Sequence, residues 1–435
     1  VSIDTLRADR LGCYGAQGGA SPELDAMAEA GTLFEDVTAA SPWTLPSHAS
    51  MLTGQYPIRH GVRTNEQALT ETTVASALAA AGYQTFAVVN AHNVGHPGYR
   101  LLEGFEARVS LPEVERPGGP ILNRAEEVLR RGVALLGRRD RDRPFFLFLH
   151  FYDVHTDFTP ESRWQRELVD PYDGPVTGRT RDLIALRSRM LQGAYDLSAA
   201  DQRYLTQMYD AEIRTLDARL TQFFKALEAA DLAEDTLVCV TSDHGEEFGE
   251  HGGLLHGRTH YQELVRIPWL LRGPGVPAGR RVTDPVHLVD VAPTLLSLAG
   301  LPPLEDVDGR DVSTAWRGDD ESPGREWSGE GRFLYSEADH NNVIEGEVVH
   351  DYKRMVRQGD LVLHYDSRSG RKELYDLAHD PAEARDLSLD RPQDVERLFA
   401  ELEAFVARAG TAQDIGAVPE ATQELLEGLG YGGGE

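Results

Sequence analysis

The sequence predicts an α/β protein: a mostly parallel central sheet flanked by helices, then a smaller C-terminal α+β unit with antiparallel strands. Two patterns predict it. Up to about residue 328, short apolar runs of strand length alternate with helical periodicity, the order that builds a parallel sheet. Beyond it, Phe333-Leu334-Tyr335, Lys353 to Arg357 and Leu361 to Tyr365 alternate in polarity, as strands with one wet face do. Size agrees, because 435 residues, 41% of them hydrophobic, fill one large domain and a small one. The division expected is 1–328, 329–427 and a Gly-rich tail, 428–435.

In chain order, Val1-Ser2-Ile3 reads as the end of a buried strand that delivers Asp4. The chain thus opens inside a strand, and residues are expected to precede Val1. Residues 22–31 have helical periodicity, with Leu24, Met27 and Ala28 on one face. The polar loop Ser41-Pro42-Trp43 then meets a short run of good helix formers. Pro46 suits a first helical turn, where its missing N–H costs nothing, and Gly54 is a stop. Thr73 to Ala81 reads as a helix, Thr85 to Val89 as a strand, and 112–121 as a Pro- and Gly-rich surface excursion. A helix near 124–137 precedes the strand Phe145 to His150, which runs into Tyr152-Asp153-Val154-His155. The polar stretch 160–200 reads as an insertion over the site. A long helix over 201–229, the strand Thr236 to Thr241 ending in Ser242-Asp243-His244-Gly245, the strand Pro268 to Leu271 and the helix Val291 to Ala299 follow. A helix near 392–408 closes the C-terminal unit.

Composition excludes several classes. A net charge of −28 argues against a nucleic-acid-binding surface. No run approaches the roughly 18 apolar residues of a transmembrane segment. Cys13 and Cys239, in apolar surroundings, read as buried thiols with no disulfide framework. Assembly into an oligomer is allowed, and the cellular location is left open, cytoplasmic or exported.

The chemistry gathers at strand ends. In open α/β sheets, ligands bind beyond the carboxyl ends of the strands. Asp4, the 153–155 segment and Asp243-His244 all stand there. With Thr44 they offer three oxygens and one imidazole, a set for one divalent metal ion: Mn²⁺, Zn²⁺, Mg²⁺ or Ca²⁺. The histidine favours a transition metal. Thr44, beside a helix N-terminus, would meet an oxyanion where free N–H groups and the helix dipole favour one. The bland alternative is that Thr44 only caps its helix and that Asp243 caps a turn. His48, His155, His251 and His256 surround these residues in the chain as candidate donors to an oxyanion or a leaving oxygen, with Arg258 and Arg63 as further anion contacts.

These residues resemble the sulfatase-like hydrolases of the alkaline phosphatase superfamily. The motifs occur in order: Ser2 to Asp9 as the metal strand, Ser21 to Asp25 and Gly31 to Phe34 as the first helix, and Thr44 to Gly54 as the nucleophile motif. His150 to Pro160, Thr241 to Gly252, Asp290 to Leu296, Glu373 to Leu377 and Asp380 to Glu383 follow. The resemblance implies an alkaline-phosphatase-like fold. It also implies that Asp4, Thr44, Asp243 and His244 hold a metal and that Asn65, His155 and His256 touch the transferred group.

The departures shape the expected function. Sulfatases resemble C-x-P-S-R at the nucleophile and oxidise the Cys to formylglycine; here Thr44 and His48 replace the Cys and the Arg. A threonine cannot become the aldehyde. The reading is therefore a metal-dependent phosphoester hydrolase, acting on a phosphodiester or phosphonate monoester through a threonine nucleophile. The alternatives are a sulfuric ester hydrolase, a phospho-alcohol transferase and a non-catalytic module that kept the fold. The partner is a small-molecule phosphate or sulfate ester. A second metal, to which Asp153, His155, His251 and His256 are not matched, is expected to be absent or weak.

Overall fold

The computed structural model describes residues 1–111, 124–316, 331–344, 347–409 and 416–417. The Pro- and Gly-rich excursion, the junction near 328 and the tail 428–435 lie outside these residues.

An eight-stranded sheet carries the molecule. From one edge its strands are Arg280–Val282, Thr32–Phe34, Trp269–Arg272, Val238–Ser242, Ser2–Ile3, Phe145–Phe151, Gln84–Val89 and Ala107–Ser110. All run parallel except Trp269–Arg272, which is antiparallel to both its neighbours. The two-residue strand Ser2–Ile3 sits at the centre: Ser2 pairs with His150 and Thr241, and Ile3 with Phe151 and Ser242.

Side-chain alternation along the central strands assigns each face its helices. Leu149 and Phe151 pack with Ile3, Val240 and the buried face of the helix Ala199–Ala229, alongside the helix Ala125–Gly137. Phe148 points the other way and joins Ala87, Val89, Leu45, Ala49 and Leu52. Leu45, Ala49 and Leu52 belong to the helix Thr44–Thr53, every residue of which is buried. That helix stops at Gly54, whose φ of 73° is left-handed and whose N–H bonds the Ser50 carbonyl at 2.9 Å.

The C-terminal unit is a four-stranded antiparallel meander, Phe333–Ile344, Glu347–Gln358, Leu361–Asp366 and Lys372–Asp376. The helix Pro392–Ala409 lays Leu398, Leu402 and Phe405 onto Tyr335, Val356 and Leu363 of that sheet. A buried bidentate pair ties the two units: Arg332 donates to both oxygens of Asp290 at 2.7 Å.

Two expectations are corrected. Gly31 to Phe34 is no part of a helix; the first helix is Pro22–Glu29, and Thr32–Phe34 pairs with Trp269–Arg272 and Arg280–Val282. Gly31 lets the chain pass close against the strand Trp269–Arg272, since a Cβ there would lie 2.0 Å from the Leu271 carbonyl oxygen. Cys13 and Cys239 are free as expected but only partly buried.

Candidate active site

The sheet brings the carboxylates together. Asp4 leaves the central strand with its N–H bonded to the Phe151 carbonyl at 2.8 Å. The N–H groups of Thr5 and His244 donate to Asp243 Oδ1 at 3.2 and 2.9 Å, which fixes that carboxylate. Asp243 Oδ2 is buried and receives no hydrogen bond. It stands 3.4 Å from His244 Nε2, which is also 3.8 Å from Asp4 Oδ1. The carbonyl of Gly245, 2.9 Å from His244 Nδ1, makes that nitrogen the donor and leaves Nε2 as a lone pair facing the two acids.

Thr44 completes the cluster as the first residue of its helix, with Trp43 at the cap position and no side-chain cap. Its Oγ1 lies 3.4 Å from His244 Nε2. The hydroxyl is therefore free of the capping role that would have made it merely structural.

The electrostatics suit a cation. Burial pushes Asp243 up to about 7, with the charge of Asp4 adding to it, and pulls His244 down to about 4. Oxygens of Asp4 and Asp243 and a nitrogen of His244 fall within 4.8 Å of one another. Two buried acids, an imidazole held neutral and an orphaned carboxylate oxygen fit a divalent metal ion. The backbone is strained at both ends of the site, with Thr5 after Asp4 and Leu255 before His256 at φ of 56° and 69°. Gly245 lets the 242–246 loop touch the 263–264 segment, where a Cβ would sit 2.0 Å from the Glu263 carbonyl oxygen.

His155 and His256 line the opposite side of this point. The His256 ring is 4.7 Å from that of His244 and 4.9 Å from that of His155. His256 Nδ1 bonds Glu246 Oε1 at 3.0 Å, leaving Nε2 for a substrate. His155 is more tied down, with Nδ1 on the Thr156 carbonyl at 2.7 Å and Nε2 3.3 Å from the Tyr152 hydroxyl. Burial pulls both imidazoles down to about 3.

Other expected residues stand elsewhere. His48 does not face a substrate: its Nδ1 meets the Thr44 carbonyl and its Nε2 the Ser2 hydroxyl, both at 2.9 Å, and it is fully buried beneath Asp243. His251 is also taken, with Nδ1 on Glu263 at 2.6 Å and Nε2 3.1 Å from the Ala382 carbonyl oxygen. Nearness in sequence to Thr44 misled on His48, and nearness to Asp243 on His251. His251 forms a separate group with Glu247 and Glu263. Asp153 accepts the Ala125 N–H and the Asn90 amide, so it braces strand ends. Arg63 pairs with Asp339 at 2.8 Å. Asn65 stands on the loop after the helix Pro57–His60, and Arg258 two residues past His256.

Sequence reasoning missed two residues. His150, whose Nε2 is 3.4 Å from Asp4 Oδ2, borders the Asp4, Asp243 and His244 cluster with its ring 4.9 Å from that of His48. A histidine in the apolar strand Phe145–Phe151 was the available signal. Glu246, fully buried behind His256, is the other.

The family pattern described as Sulfatase matches residues 1–301, and that of the N-sulphoglucosamine sulphohydrolase C-terminal region matches 249–408. The chain is 25% identical to the Delta 4,5-hexuronate-2-O-sulfatase of Bacteroides thetaiotaomicron, over 90% of this chain and 84% of that one. It is also 25% identical to the arylsulfatase of Clostridium perfringens, over 89% of each. The fold is similar to that of the phosphonate monoester hydrolase of Agrobacterium radiobacter, with a TM-score of 0.73, 23% identity, and 94% and 95% of the two chains covered. With 301 of its residues under the Sulfatase pattern, the chain belongs to the sulfatase family.

Proposed function

We propose that the chain hydrolyses phosphoesters, a phosphodiester or phosphonate monoester, with Thr44 as nucleophile. The observation that carries this is the Thr44 hydroxyl, uncapped at its helix N-terminus and 3.4 Å from His244 Nε2. A divalent metal held by Asp4, Asp243 and His244, with Thr44, would acidify that hydroxyl and neutralise charge on the transferred group.

The Thr44 hydroxyl gives up its proton to solvent, and Oγ bonds to phosphorus as the bond to the leaving alcohol breaks. His256 gives its Nε2 proton to the departing oxygen. Glu246, which burial pushes up to about 7, supplies a proton to Nδ1, so the neutral ring can give up the one on Nε2. Water then attacks phosphorus of the Thr44 ester, His256 takes back a proton, and Thr44 is released. His155 shields the other side of the group. The positive end of the helix Thr44–Thr53 dipole, beside Thr44, would favour the developing charge.

The curated relatives support a second reading, sulfuric ester hydrolysis, since those named above are sulfatases. A Thr44 sulfate ester has no aldehyde hydrate to expel sulfate, so water would have to attack sulfur. Rates on p-nitrophenyl sulfate, p-nitrophenyl phosphate, bis-p-nitrophenyl phosphate and p-nitrophenyl phenylphosphonate, with Mn²⁺, Zn²⁺, Mg²⁺ or Ca²⁺, separate the two. The diester or the phosphonate should have the highest kcat/KM. A dominant sulfate rate would establish the second reading.

A further inference from the structure

The apolar strand Phe145–Phe151 carries one histidine, and it is fully buried. His150 pairs with Ser2 of the central strand and shares with Phe148 the sheet face that the helix Thr44–Thr53 covers. The ring of His48, on that helix, stands 4.9 Å from the His150 ring and 6.4 Å from that of Phe148. Neither ring nitrogen of His150 makes a hydrogen bond among the described residues. A buried imidazole without a bond costs stability, and an apolar residue at this place in the strand would avoid that cost.

The polar atom that His150 faces is Asp4 Oδ2, 3.4 Å from Nε2. The other oxygen of that carboxylate, Oδ1, faces His244 Nε2 at 3.8 Å. Asp4 thus turns one oxygen toward its cluster with Asp243 and His244 and the other toward His150. Asp243 is divided in the same way: two backbone N–H groups occupy Oδ1, and Oδ2 is left facing His244. At 3.4 Å the His150 contact is just longer than a hydrogen bond, and a small turn of either group closes it. Outer hydrogen bonds of this kind orient metal-ligating carboxylates.

We propose that His150 is a positioning residue of the cation site, its Nε2–H taking Asp4 Oδ2 and leaving Oδ1 alone to the ion. Single oxygens from two acids and one imidazole suit a small ion such as Mn²⁺ or Zn²⁺. Ca²⁺ gathers more oxygens and accepts a carboxylate through both. His150 therefore sets the affinity of the site and its preference against Ca²⁺. This rests on the reading that Asp4, Asp243 and His244 hold a divalent ion.

The test is calorimetric titration of chelator-treated protein with Mn²⁺ and with Ca²⁺, with Asp243→Ala as the blank. His150→Phe keeps a ring in place but cannot donate. It should weaken Mn²⁺ binding by about 10–100-fold and lower the ratio of Mn²⁺ to Ca²⁺ affinity by about tenfold. The metal-free variant should unfold at the wild-type Tm or above, because an unbonded imidazole has gone. His150→Gln, whose amide N–H reaches the place of Nε2, should recover most of the Mn²⁺ affinity, and the shorter His150→Asn should not. If His150→Phe does not fold, that Gln-to-Asn contrast decides the matter. Unchanged Mn²⁺ affinity in His150→Phe, or equal affinity in the Gln and Asn variants, would overturn the proposal. Equal losses for the two ions would overturn the division of the Asp4 oxygens. A lower metal-free Tm with Mn²⁺ affinity intact would make His150 merely structural. Uptake of neither ion by wild type would reject the metal site itself, and the proposal with it.

Discussion

The Thr44 hydroxyl and His244 Nε2 stand 3.4 Å apart, although 200 residues separate them in the chain. The relationship exists because one residue opens a helix packed under the sheet and the other leaves the carboxyl end of a central strand. A hydroxyl, two acids and an imidazole thus meet at one buried point.

Metal retention should depend on Asp243. Asp243→Ala leaves Asp4 and His244 without their third partner and should abolish stoichiometric metal binding, measured by elemental analysis after dialysis. If both metal content and activity survive, the site is misplaced.

His48 should act through Asp243. Its ring lies 3.4 Å from Asp243 Oδ2 and touches nothing a substrate could reach. His48→Gln should weaken metal affinity by about 10–100-fold while leaving the pH profile of kcat at saturating metal in place. Loss of one limb of that profile would make His48 a proton donor after all.

His251 should lend pH-dependent stability. Burial opposes its charge, but the hydrogen bond and charge of Glu263, with Glu383 beyond, raise it from 6.5 to about 9. A folded value above the unfolded one gives stability that is complete below about 6.5 and lost as pH rises through about 9. The Tm gap between wild type and His251→Gln should therefore be widest near pH 6 and close towards pH 10. A gap that widens with pH would reverse the sign.

Arg332 and Asp290 should be strongly coupled. Removing one partner strands a buried charge, so Arg332→Met should destabilise by about 3–5 kcal/mol in denaturant unfolding. The double variant Asp290→Asn, Arg332→Met should cost less than the sum of the single changes. Additivity would show that the pair contributes nothing as a pair.

Much of this was legible in the sequence. Apolar runs located the strands Phe145–Phe151 and Val238–Ser242, and the rule that ligands bind past strand ends picked out Asp4, Asp243 and His244. Short elements were not: Thr32–Phe34 has three residues, too few for a period to show, and was read as helix. Strand direction was also hidden, because the buried strand Trp269–Arg272 looks apolar whichever way it runs. Site membership failed where it depends on where a side chain turns. His48 and His251 turn into the fold.

The central claim is that Thr44 carries the reaction, and the direct test is kcat/KM of Thr44→Ala, with metal content measured on the same sample. The variant should lose activity on the order of 10³-fold or more, because attacking oxygen and helix-end charge act as a unit. Thr44→Ser, which keeps a hydroxyl at the same place, should retain substantial turnover. Near-normal turnover in metal-loaded Thr44→Ala would contradict the account and assign the attack to water.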